Sequence, residues 1–177
     1  MEQIVAKRYA SALFDVAKKE DMVKEYYEEL KKAVEILQTE VVWKIFVNKS
    51  IDKTKKMKFV EEVLEDFPRE IVNFIKVAIS KHRENLIKEI LNEFEALYKA
   101  YCNMIDVKVI SAYPLKEEVL NLVREKLEKK YNKKVNLIPV VDKEILGGLK
   151  LVIGNTVIDG SIKARLEALL KNMRQAV

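Results

Sequence analysis

Apolar residues recur every three or four positions through residues 1–105, the spacing of helices that keep one side dry. The pattern predicts helices over Ile4–Lys18, Val23–Gln38, Val42–Asn48, Asp52–Leu64, Arg69–Lys81 and Asn85–Tyr101. The last is the clearest, because Leu86, Ile87, Ile90, Leu91, Phe94 and Leu97 form one stripe that Tyr98 and Tyr101 extend. Pro68 falls at the start of the fifth helix, where its missing N–H costs no hydrogen bond, so it marks a boundary rather than a kink.

Beyond Asn103 the period changes. Asp106–Ala112 alternates as a strand, and Leu115–Tyr131 returns to helical spacing through Leu115, Val119, Leu122, Val123 and Leu127. Strands follow at Val135–Val141, Leu149–Ile153 and Thr156–Ile158. The last two are separated by Gly154-Asn155, and a two-residue loop with glycine first suits a type II′ hairpin turn. Ser161 is placed to cap a closing helix through Leu166, Leu169 and Leu170. All four glycines (Gly147, Gly148, Gly154, Gly160) lie in this last third, and residues 1–105 contain none. The expected fold is mostly α: an N-terminal six-helix bundle over 1–105, then a small α/β domain over 106–177.

Composition narrows the class. With 49% apolar residues the chain can build a core. It contains no run of about 18 apolar residues, and MEQIVAKRYASALF lacks the succession of a secretory signal, so a soluble cytosolic protein is expected. Cys102 is the single cysteine and His82 the single histidine, which leaves neither an internal disulfide nor a Cys/His metal-ligand set. Charge is unevenly spread. Residues 1–105 hold 19 basic and 19 acidic side chains, whereas 106–177 hold 14 and 9, so the whole excess of +5 sits in the C-terminal part. That part suits an acidic partner or a polyanion, although such an excess is usually a solvated surface.

Catalytic patterns are missing. GGLKLVIG does not continue into the Gly-Lys-Ser/Thr of a phosphate loop, and no G-x-G-x-x-G occurs. His82, in KHREN at a helix end, has no nucleophile pattern around it, and the carboxylates lie beside lysines on polar helix faces. No enzyme activity, metal or cofactor is therefore expected. Two basic runs, Lys53–Lys58 and Lys129–Lys134, raise the alternative of a helical RNA-binding or ribosome-associated protein. Against it, the first run alternates with Met57 and Phe59, and the second closes a helix, where lysines are expected anyway.

The N-terminal helix has more apolar surface than a bundle needs. Ala6 and Ala10 align with Leu13 and Ala17, while Val5, Tyr9, Ala12 and Val16 align on another side. In the fifth helix, Val77 faces differently from Ile71, Phe74, Ile75, Ala78 and Ile79. A second dry face suits a partner helix lying in a groove, and equally a helix buried within its own bundle.

The segment VDKEILGGLKLVIGNTVIDGSIKARLEAL, from Val141 to Leu170, resembles the pattern of the delta subunits of the bacterial rotary proton-translocating ATP synthase. These are the counterparts of the mitochondrial oligomycin-sensitivity-conferring protein. RYASALFDVA near the N-terminus is similar to that family's opening helix, and the likeness runs through nearly the whole chain. The resemblance implies a non-catalytic stator subunit that links the catalytic head to the b-subunit stalk. It implies a groove for the N-terminal helix of an alpha subunit, carried here onto Tyr9, Ala12, Leu13 and Val16 of the first helix and Phe74, Val77 and Ala78 of the fifth. It also implies contact with the C-terminal end of the b subunits around Gly147, Gly148, Leu149, Ile158, Asp159, Gly160, Ser161 and Arg165. The expected place is the cytoplasmic face of the cell inner membrane, held there by partner subunits, without direct membrane insertion and without nucleic acid.

Overall fold

The computed structural model describes residues 2–175, and the side chains of 2–171. The chain divides between Ala100 and Tyr101 into two compact units.

The first unit is helical, as the spacing predicts: α1 (Glu2–Lys19), α2 (Val23–Leu37), α3 (Glu40–Phe46), α4 (Lys53–Val63), α5 (Arg69–Ser80), a 3-10 turn at Glu84–Leu86, and α6 (Ile87–Tyr101). Each helix puts its apolar stripe into one core. Ala6, Ala10, Leu13 and Ala17 enter it from α1, Leu30, Val34 and Leu37 from α2, and Ile71, Ile75 and Ile79 from α5. Ring contacts tie the helices together: Phe14 meets Phe94 edge-on with centroids 5.6 Å apart, and Tyr27 stacks on Tyr98 at 4.7 Å. The closures need a left-handed residue, and with no glycine available Asp21 (φ 56°) and His82 (φ 54°) supply it. After α5, the His82 amide donates to the Ile79 carbonyl at 3.0 Å and the Arg83 amide to the Ala78 carbonyl at 2.9 Å. These two bonds satisfy helix-end carbonyls in the usual left-handed cap.

The second unit contains β1 (Met104–Ser111), α7 (Glu117–Tyr131), β2 (Lys134–Val141), a 3-10 turn at Lys143–Ile145, β3 (Leu149–Ile153), β4 (Thr156–Asp159) and α8 (Ile162–Gln175). The sheet order is β2-β1-β3-β4, with β1 and β2 parallel and the other pairs antiparallel. Parallel neighbours need a crossover, which α7 provides. Pro139 lies on the edge strand β2, where a missing N–H is tolerated. One face of the sheet is covered: Val107, Val109, Leu127 and Val135 form the small core, joined by Ile105, Val123, Leu137 and Leu151. Alternation turns Ile138 and Val140 of β2 and Val157 of β4 the other way, and all three are exposed. No helix among the described residues is long and apolar enough to cross a membrane.

Candidate functional site

The two-faced character of the first helix is realised in space. Ala6, Ala10, Leu13 and Ala17 are buried, while Ala12 and Val16 reach solvent and Tyr9 is half-buried. On α5 the same division holds: Ile71, Ile75, Ala78 and Ile79 are buried, Phe74 is half-buried, and Val77 is 50% exposed. The Tyr9 and Phe74 rings meet edge to face with centroids 6.3 Å apart, which brings the two helices together at the open surface. The exposed row is thus Tyr9, Ala12 and Val16 on one wall and Phe74 and Val77 on the other. Leu13 and Ala78 lie beneath it, inside the bundle, where they support the walls rather than form the surface.

Charged groups flank this row. At the end where α1 closes, a depression of about 170 Å³ is lined by Glu20, Glu25, Glu29 and Glu70 together with Met22 and Tyr26. The Tyr26 hydroxyl donates to Glu20 Oε2 at 2.5 Å. Burial holds that phenol well above its ordinary range, and the bond to Glu20 and the negative charge of Glu20 and Glu70 add to the effect. Sequence reasoning missed this cluster, although Glu20 follows Val16 by one helical turn.

In the second unit the glycines are architectural. A Cβ on Gly148, whose φ is +79°, would stand 2.4 Å from the Gly160 carbonyl oxygen, and one on Gly147 would stand 2.8 Å from Ile162 Cδ1. The backbone is stitched across this contact, the Gly160 amide donating to the Leu149 carbonyl at 2.9 Å and the Ile162 amide to the Gly147 carbonyl at 3.0 Å. Just ahead of it, Leu146 takes φ 65°, a conformation unusual for a branched side chain. The β3–β4 loop has positive φ at Gly154 and not at Asn155, as a type II′ turn requires. Ser161 is buried and caps α8, its Oγ accepting from the Ala164 amide at 3.1 Å. Asp159 accepts from the Ser161 amide at 2.9 Å. Hydrogen bonding to Ser161, with Lys150 nearby, holds the Asp159 carboxyl below the usual aspartate range. That contribution is in place above the ordinary carboxylate pKa and is lost as pH falls through the lowered one. Of the other residues in this region, Leu149 is half-buried, and Ile158 and Arg165 reach solvent.

The basic runs read differently in three dimensions. Lys56 is buried and pairs with Glu84 at 3.0 Å, and half-buried Lys53 donates from Nζ to the Ser80 carbonyl at 2.9 Å, so two lysines of the first run are engaged by the bundle itself. The signal was present: Lys56, Val60 and Leu64 share one helical stripe. His82 is exposed and serves as a helix closure. Among the described residues no group of His, Cys, Asp and Glu could hold a metal ion.

The family model described as ATP synthase delta (OSCP) subunit matches residues 5–173. The chain belongs to this family. The delta-family assignment agrees with full-length relatives. The chain is 96% identical over 177 residues to ATP synthase subunit delta of Caldanaerobacter subterraneus subsp. tengcongensis, covering 100% of both chains. It is 33% identical to ATP synthase subunit delta of Clostridioides difficile, covering 100% of this chain and 99% of that one. Its fold matches a chain in the cryo-EM structure of the Toxoplasma gondii mitochondrial ATP synthase hexamer with a TM-score of 0.67 at 22% identity, over 95% of this chain and 96% of that one. This delta-family chain is accordingly a stator subunit of an F-type ATP synthase, a structural component of the peripheral stalk rather than a catalytic one.

Proposed function

We propose that the delta-family chain holds the synthase together through two separate grips. The N-terminal helix of an alpha subunit lies in the groove between α1 and α5, and the C-terminal end of the b subunits engages the second unit. The chain then joins the catalytic head to the stalk at the cytoplasmic face of the inner membrane.

The observation that carries the first grip is the open row of Tyr9, Ala12, Val16, Phe74 and Val77 on two helices whose other apolar faces are already buried. An incoming amphipathic helix would cover that row, and fully burying a side chain such as valine contributes about 1.5–3 kcal/mol. Small Ala12 lets the partner backbone approach. The second grip is supported by surface the second unit leaves open: Ile138, Val140 and Val157 on the sheet and Leu166 and Leu169 on α8. Stator subunits carry elastic load during turnover, so both contacts need slow dissociation, which desolvated apolar anchors favour.

The test is calorimetric titration of the full-length chain with a synthetic peptide of the cognate alpha-subunit N-terminus. Tight one-to-one binding is expected. Ala12→Asp places a charge in the dry groove and is expected to cost at least about 2 kcal/mol of binding while circular dichroism stays unchanged. Equal affinity for the variant and the parent would remove the groove assignment.

A further inference from the structure

A groove between two helices binds well only if its walls are held in place, because apolar contacts are short-ranged. A gap of about 0.5–1 Å already forfeits a quarter to a half of a contact's attraction. On the open side the walls meet through the Tyr9 and Phe74 rings. Behind the groove, α5 packs more extensively on α4 than on any other helix. Val60 and Leu64, at the end of α4, are fully buried in the shared core. Such apolar packing holds helices together but is non-directional, so by itself it resists rotation and sliding weakly. Three polar bonds from α4 to α5 and its exit supply direction. Lys53, the first residue of α4, donates from Nζ to the carbonyl of Ser80, the last residue of α5, at 2.9 Å. Glu61 pairs with Lys76 in the middle of α5. Lys56 pairs with Glu84 at 3.0 Å just past the α5 cap, and both side chains are more than nine-tenths buried. The Ser80 bond leads directly to the groove: Ser80 Oγ donates to the Val77 carbonyl at 2.7 Å, and Val77 is the exposed apolar residue of the α5 wall.

We infer that Lys53, Lys56 and Glu61 are positioning residues for the groove. None of them lies on α1 or α5. Together they fix the rotation and axial position of α5, so that Phe74 and Val77 stand opposite Tyr9, Ala12 and Val16 at the spacing a docking helix needs. The buried pair makes the case most clearly. Replacing a buried ion pair by apolar groups of similar volume is often neutral or stabilising, so stability alone does not account for charge at Lys56 and Glu84. A directional bond between α4 and the segment that follows α5 does account for it, since it selects one placement of α5 among the several that apolar packing would tolerate. This role rests on the groove reading given above, to which it adds the residues that hold the second wall.

Positioning and folding are separated by measuring stability and affinity in the same variants of the full-length chain, with the alpha-subunit N-terminal peptide as probe. Lys56→Met/Glu84→Leu is expected to keep a chemical-denaturation midpoint close to the parent's while binding the peptide about tenfold more weakly, mostly through faster dissociation. The partly exposed bond between Glu61 and Lys76, which contributes little to stability, covers the case in which that variant does not fold. Glu61→Lys is expected to bind about threefold more weakly, and Glu61→Lys/Lys76→Glu to bind like the parent, because reversing both charges rebuilds the pair. Ala12→Asp is measured alongside. If it abolishes binding while Lys56→Met/Glu84→Leu and Glu61→Lys bind like the parent, the groove stands and the positioning role is overturned. If Ala12→Asp binds like the parent, the groove reading fails and the positioning role falls with it.

Discussion

The two units solve the problem of a stable core differently. The helical unit buries apolar residues from all six of its helices and leaves a narrow open row between α1 and α5. The α/β unit builds its small core on Val107, Val109 and Val135 of the sheet and Leu127 of α7, and leaves Ile138, Val140, Val157, Leu166, Leu169 and Leu170 in contact with solvent. A bundle with a closed core can offer a local groove and remain well folded alone. A half-covered sheet with an uncovered helix has surface left to bury, and in an assembly that surface is where affinity is available. The comparison places most of the uncovered large apolar side chains in the second unit.

Mutations can break this contrast in order of size. The largest effect is expected for Lys56→Met. It leaves Glu84 buried without its partner and should destabilise the helical unit by about 3–5 kcal/mol, read from chemical denaturation. Adding Glu84→Leu should restore most of the loss, because replacing both charges by apolar groups removes the desolvation penalty. Gly148→Ala forces a side chain into a left-handed backbone against the Gly160 carbonyl. It should cost about 3 kcal/mol and loosen the α/β unit while the helical unit retains its hydrogen-exchange protection. Ser161→Ala removes the α8 cap and should cost about 1 kcal/mol, with fraying confined to α8. The smallest effect runs the other way: His82→Gly relieves a left-handed histidine and should stabilise the helical unit by about 0.5–1 kcal/mol in thermal melts.

The sequence was most informative where a period repeats within one segment. Helix and strand positions follow from spacing of three to four or of two, and the Gly154-Asn155 turn and the Ser161 cap follow from local chemistry. Sheet order was not legible, because β1 pairs with β2 and β3 across segments that no local pattern connects. The buried Lys56 was read within a basic run, since its partner Glu84 lies 28 positions away. Glycine-free closure at Asp21 and His82 also escaped notice, because left-handed caps usually announce themselves by glycine. At the groove, spacing separated the inward from the outward face of α1. The side chains that share a surface, and the carboxylates that close one end, emerge only when α1, α2 and α5 are brought together.

The most direct test of the central claim is hydrogen exchange of the full-length chain with and without the alpha-subunit N-terminal peptide. Added protection concentrated in α1 and α5, with the α/β unit unchanged, is the predicted result. Protection that falls instead on the α/β unit, with α1 and α5 exchanging as before, would contradict it.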